Sequence, residues 1–196
     1  MKKWITAVIC LSVTGFVLCG EEVVKPPAPA GPPSEPPSKL PVPRAKVLDK
    51  AELLPFLPPP PKGWTAGKPT GRTLRASFFA STQVSRVYRK GGQEITFLLE
   101  DLGSNNPYFY MKEVWKPSEK KEEDWYSKKL MLGEIAAEQS YNKKAKRGLI
   151  FLVLDKRIQL NVAGLKMEEE DTSVLVELAK TIDFKKLKKA MEEKSK

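Results

Sequence analysis

Apolar and polar positions alternate with a period of two over Val84 to Lys90 and again over Gln93 to Leu102, on either side of Gly91-Gly92. Two glycines accept the positive φ that a tight turn needs, so the segments read as a β-hairpin. The turn sets the register, with Arg89 opposite Glu94, Tyr88 opposite Ile95, Arg86 opposite Phe97 and Val84 opposite Leu99. One face then collects Val84, Tyr88, Ile95, Phe97 and Leu99, which is the face expected to form the core. Arg86 sits among them, either snorkelling its stem at the sheet edge or holding a buried partner.

A second hairpin joins Gly148 to Leu154 with Arg157 to Ala163. A two-residue turn at Asp155-Lys156 pairs Val153 with Ile158, Phe151 with Leu160 and Leu149 with Val162, predicting those six on one face. The opposite face pairs Leu152 with Gln159 and Ile150 with Asn161, and suits cover by a helix. Two further strands, Trp125 to Leu132 and Glu134 to Asn142, flank Gly133, and Leu74 to Ala80 reads as an irregular edge segment.

Helical spacing occurs in three places. Asn106-Pro107 is a cap followed by proline at the first helical position, predicting a short helix over Tyr108 to Trp115 that Pro117 stops. Asp171-Thr172-Ser173 precedes a stripe of Leu175, Leu178, Ala179 and Ile182, and Asp183 precedes Phe184, Leu187 and Met191. The chain is therefore expected to be α+β: a largely antiparallel meander sheet of about six strands, with an inserted short helix and a C-terminal helix packed on one face.

Proline divides the chain. Fourteen of the 17 prolines lie between Pro26 and Pro61, where they lock φ and remove amide donors, so neither helix nor sheet can run through. Residues 21–62 are read as a proline-rich disordered spacer and 63–196 as a single α+β domain, with the apolar patch Ala51 to Leu57 lying along that domain. Ahead of the spacer, Met1-Lys2-Lys3 and the 15 uncharged, mostly apolar residues Trp4 to Leu18 have the form of a signal peptide, 1–20. That run is shorter than the roughly 20 residues of a membrane-spanning helix. Cleavage after Gly20 would release a soluble product, whereas cleavage before Cys19 would leave a lipidated cysteine and a membrane anchor. Leu18 departs from the small residue that lipoproteins favour there, and Cys19 also reads as an ordinary residue of the apolar run.

The order of strand pair, four-strand run and closing amphipathic segment through Thr181-Ile182-Asp183-Phe184 resembles the fold of the photosystem extrinsic PsbP family and its bacterial relatives, over roughly Arg72 to Leu187. The entry Leu57 to Trp64, Leu-Pro-Pro-Pro-Pro-Lys-Gly-Trp, is similar to that of small bacterial envelope proteins. These likenesses imply a fold and an accessory role, and no site residue.

The chemistry of the side chains narrows the function. The chain has no histidine, and its two cysteines, Cys10 and Cys19, both precede the spacer. The usual acid/base group of neutral pH and the soft metal ligands are thus missing from the domain, so no cofactor, no metal and no catalytic residue are expected. A serine with a lysine base remains a third alternative, with Ser77, Ser85 and Ser127 as candidates for a hydrolase. Glu168-Glu169-Glu170-Asp171 lacks the interleaving of a calcium loop and is read as acid complementing a helix start. Trp64, Trp115 and Trp125 are read as core or as the lining of a cleft.

A net charge of +10 is concentrated at Lys143, Lys144, Lys146 and Arg147, the predicted binding residues, and at Lys185, Lys186, Lys188 and Lys189. An exported domain with this charge points to anionic lipid or an anionic wall polymer, and away from nucleic acid, for which no motif is present. The expectation is a non-catalytic accessory or binding protein of the periplasm or cell envelope. The alternative is a structural protein that recruits another envelope protein through the proline-rich segment or a sheet edge.

Overall fold

The computed structural model describes residues 46–76, 80–103 and 117–195. All of them fall in one of two compact units of the chain, Leu40–Lys196. Nine strands form one open sheet: β1 Thr65–Ala66, β2 Thr70–Arg75, β3 Ala80–Lys90, β4 Gln93–Asp101, β5 Lys120–Lys121, β6 Trp125–Leu132, β7 Ile135–Asn142, β8 Arg147–Leu154 and β9 Ile158–Leu165. Every pairing among these strands is antiparallel, in the order β1-β3-β4-β9-β8-β7-β6-β5, with β2 also on β3. Among the described residues the three α-helices are α1 Lys50–Leu53, α2 Ser173–Lys180 and α3 Phe184–Ser195. The molecule is sheet-rich α+β, as the alternation implies.

The β3–β4 hairpin has the register that Gly91-Gly92 dictates, and Val84, Tyr88, Ile95, Phe97 and Leu99 are all fully buried. The β6–β7 hairpin turns on Gly133, whose φ of 64° suits glycine. The strand count differs from about six because β1 and β2 add to a β3 that is longer than its apolar alternation suggests, and the two-residue β5 adds to β6. β3 begins at Ala80 and carries β1 and β2, which occupy 65–66 and 70–75 where an irregular segment at 74–80 was expected. The meander is also only local. β6 to β9 follow one another, but β9 returns beside β4, so the two hairpin regions are joined through the middle of the sheet.

The β8–β9 register departs from expectation by one residue. The loop is Asp155-Lys156-Arg157, closed by the Arg157 N–H on the Leu154 carbonyl at 3.0 Å, and Leu154 pairs with Ile158, Leu152 with Leu160 and Ile150 with Val162. A slip of one residue turns every side chain of β8 to the other face. Ile150, Leu152 and Leu154 therefore enter the core, and Leu149, Phe151 and Val153 stay half-buried on the opposite face.

Helices cover the core face. Leu175, Leu178 and Ala179 of α2, and Leu187 and Met191 of α3, join the same apolar cluster as the sheet. Two glycines directly paired across β8 and β9, Gly148 and Gly164, let α2 approach: a Cβ at Gly148 would lie 2.8 Å from Leu175, and one at Gly164 would collide with Met167. The Thr172 side chain makes no cap bond at the start of α2, whereas Asp183 accepts the Lys186 N–H at 2.9 Å ahead of α3. The helix expected over Tyr108 to Trp115 lies outside the described residues.

The packed body takes in chain ahead of Gly63. Val47, Leu48, Leu53 and Leu57 are buried, and the last three belong to the main core cluster. The boundary expected between Lys62 and Gly63 thus falls inside the packed unit, and the expectation of no helix between Pro26 and Pro61 is corrected by α1: only Pro55 lies between Lys46 and Leu57, so a helical turn forms there and apolar side chains at 47, 48, 53 and 57 are buried.

Candidate functional site

The expected binding residues occupy the turn between β7 and β8 and the first position of β8, and Lys143, Lys144, Lys146 and Arg147 are all exposed. The turn is built by hydrogen bonds: Asn142 Oδ1 accepts the Ala145 N–H at 2.8 Å, and the Asp124 carbonyl accepts the Lys143 N–H at 2.8 Å. Acids partly neutralise it. Lys144 pairs with Asp124, and Lys146 Nζ lies 2.5 Å from Glu168 Oε1. The hydrogen bond to Glu168 and its charge hold the Lys146 ammonium protonated above the ordinary lysine range. The structure thus brings the four cations together but commits two of them to carboxylates; Lys143 and Arg147 project from the turn without an ion pair among the described residues.

Behind this turn stands Tyr141, whose hydroxyl donates to the Met167 carbonyl at 3.0 Å and whose ring lies 6.1 Å from that of Tyr126. Burial first, and then the charges of Glu168 and Glu169, push the Tyr141 hydroxyl above its ordinary pKa. The acidic run Glu168 to Asp171 therefore serves Lys146 and the approach to α2, and among the described residues no group of acids is arranged to hold a metal.

At the other end of β7 and β8, roughly 25 Å away at the rise of eight strand residues, a groove of about 640 Å³ opens between the β6–β7 turn and the α2–α3 junction. Leu132, Ile135, Leu154, Ile182 and Phe184 give it apolar walls, and Lys180, Lys185 and Lys188 face Glu134, Asp155 and Asp183. Lys188 Nζ reaches Asp155 Oδ2 at 3.4 Å, and Asp183 is occupied by its cap on Lys186. A concavity of this size is adequate for a small ligand, and its charges balance.

The strongest polar node is one that the alternation of β4 hides in plain view. Asp101 follows Ile95, Phe97 and Leu99 on the core face and is fully buried, so its carboxylate requires a partner. Arg157 supplies a two-pronged one, Nε to Oδ1 and Nη2 to Oδ2, both at 2.7 Å. The N–H groups of Leu48 and Gly103 also donate to this carboxylate at 2.7 and 2.9 Å, and Arg157 Nη1 donates to the Met191 carbonyl at 3.3 Å. With both oxygens doubly engaged, the pair has no lone pair aimed at a substrate and acts as a structural tie. Its signal in the sequence is an acid at the end of an apolar alternation.

Arg86 has a similar role. Its Nη1 and the Tyr88 hydroxyl both donate to the Pro58 carbonyl, at 3.1 and 2.7 Å, fastening the proline strap to β3. Burial pushes the Tyr88 hydroxyl up to about 12. Trp64 is buried in the core, Trp125 is half-buried, and Trp115 lies outside the described residues.

The serine candidates have other partners. Ser85 shares a hydrogen bond with Thr70, and Ser127 donates to the Ser118 carbonyl at 3.0 Å, while Ser77 and the lipidation candidate Cys19 lie outside the described residues. No protein-family model, no curated protein and no solved structure matches the chain.

Proposed function

We propose that the chain is a non-catalytic accessory or binding protein of a cell envelope, exported by its leader and carried on the proline-rich segment, with a PsbP-like body. The observation that supports this reading most is the way the segment following the prolines enters the body: Leu48 and Leu53 lie in the core, and the Leu48 N–H is bound to the buried Asp101–Arg157 pair. A tether that ends in the core transmits force to the sheet without peeling a terminus. Lys143 and Arg147, which carry charge without a carboxylate partner among the described residues, are the contact points for an anionic lipid or wall polymer on this reading.

The test is a salt titration of binding to vesicles containing anionic lipid and to a soluble anionic polymer, with the native chain and with Lys143→Gln/Arg147→Gln. Binding that falls with salt and is weakened by the double substitution supports the proposal. Equal binding by both proteins removes it.

A second reading, assembly with another envelope protein through a sheet edge, is favoured by the open sheet. It ends on one side in β2, beyond which no strand lies among the described residues. Mixing experiments with the native chain and one carrying proline on β2 separate this reading from the first, because lipid and polymer binding would be unaffected.

A further inference from the structure

The hydrogen-bond parity of the sheet shows which groups β2 offers. In a hairpin closed by two residues, the flanking pair exchanges both bonds, so Lys90 and every second residue back along β3 bond to β4. The odd-numbered residues of β3 bond to the other side, as the Gly67 N–H on the Val87 carbonyl at 2.7 Å shows. Ser85, Gln83 and Ser81 therefore bond to their partners Thr70, Arg72 and Leu74. Gly71, Thr73 and Arg75 are left with their N–H and C=O groups turned outward, a row ready to accept one more strand.

The surroundings of this row select the added strand. Lys50, Lys68 and Arg72 are exposed beside it. Arg75 is also cationic, and Asp49, the acid that meets it at 2.6 Å, is shared with Lys194 at 3.1 Å. A shallow recess of about 260 Å³, formed by Thr70, Gly71, Arg72, Gln83 and Ser85, lies along β2 and has room for a side chain. Leu74, exposed at 44%, adds an apolar contact at the far end.

We propose that β2 binds an extended acidic segment of a partner protein by strand addition, with a carboxylate seated in the recess against Arg72. A second copy of this chain fits less well, since β2 against β2 would bring Arg72 and Arg75 near their own counterparts. The inference rests on the second reading above and names the chemistry of its partner.

The probe is an extended peptide of about eight residues, the length of an ordinary strand, alternating Glu with Thr, beside a control in which Lys replaces Glu. Binding is read by anisotropy and by exchange of the Gly71, Thr73 and Arg75 amides, using the full chain. The acidic peptide should bind, weaken with salt and slow those three amides, and the lysine control should not. Arg72→Glu and Thr73→Pro, the latter removing an outward N–H and the Thr82 side-chain hydrogen bond but none of the backbone bonds to β3, should each weaken binding by about fivefold or more. Unchanged affinity in folded Arg72→Glu, or amides that exchange at the same rate with and without peptide, would overturn the proposal. A third peptide alternating Ser with Thr separates the two failures: if it slows the three amides and the acidic peptide does not, assembly through this edge stands and the acidic chemistry is overturned.

Discussion

Asp101 and Arg157 concentrate more of the fold in two side chains than any other contact described. They join the end of β4, the β8–β9 loop, the entering segment at Leu48 and the carbonyl of Met191 in α3. Removing one partner strands a buried charge, so Arg157→Met should lower unfolding free energy by about 3–5 kcal/mol in a denaturant titration. Restoring balance with Asp101→Leu in the same chain should recover part of that loss. At the glycine saddle the limit is steric. Gly164→Ala must displace Met167 and should cost about 1–3 kcal/mol, again read by denaturant midpoint. The more exposed ties have a pH signature. Hydrogen bonds from Lys194 and Arg75 hold Asp49 below its ordinary pKa, and the Asp49 N–H together with Lys194 does the same for Glu52. Groups with lowered folded-state values stabilise fully above the ordinary carboxylate range near pH 4, and the contribution fades as pH falls through the lowered values. These side chains are about half exposed, so each contributes less than about 1 kcal/mol after screening. Lys194→Met should therefore lower the melting temperature slightly at neutral pH and shrink the difference between the two proteins below pH 4.

Elements differ in how much of their placement the sequence carries. The β3–β4 hairpin was legible to the residue, because Gly91-Gly92 fixes the turn and only one face is apolar. β8 was not. Leu149 to Leu154 is apolar on both faces, so periodicity leaves the register open, and the choice is made by Arg157 entering the loop to meet Asp101. The entering segment shows the same limit from another side: its prolines confine regular structure to the short helix α1 but do not exclude burial. α1 and the strap after it place Leu53 and Leu57 against the sheet, and Leu53→Ala should cost about 2–5 kcal/mol by denaturant titration. A chain beginning at Gly63 loses Leu48, Leu53, Leu57 and a donor to Asp101 together. It should show exposed apolar surface and no cooperative melt, while a chain beginning at Lys46 melts cooperatively.

For the whole molecule, the described residues include no helix long and apolar enough to cross a membrane, and residues 1–20, proposed as a leader, lie outside them. The candidate site was legible only as composition. Lysines 143, 144 and 146 with Arg147 do share one turn, but their pairing with Asp124 and Glu168 depends on chain neighbours that sequence spacing does not reveal. The groove at the other end of β7 and β8 and the free row on β2 likewise arise from strand order, with β9 returning to β4 and β2 left outermost. The proposal that unites these surfaces is export of the chain with a tether built into the core. The most direct measurement is the intact mass of the protein recovered from fractionated bacterial cells expressing the full chain. An envelope-fraction product that lacks the leader, beginning at Glu21 or at a lipid-bearing Cys19, is the predicted result; a cytosolic product that retains Met1 and the apolar run would contradict it.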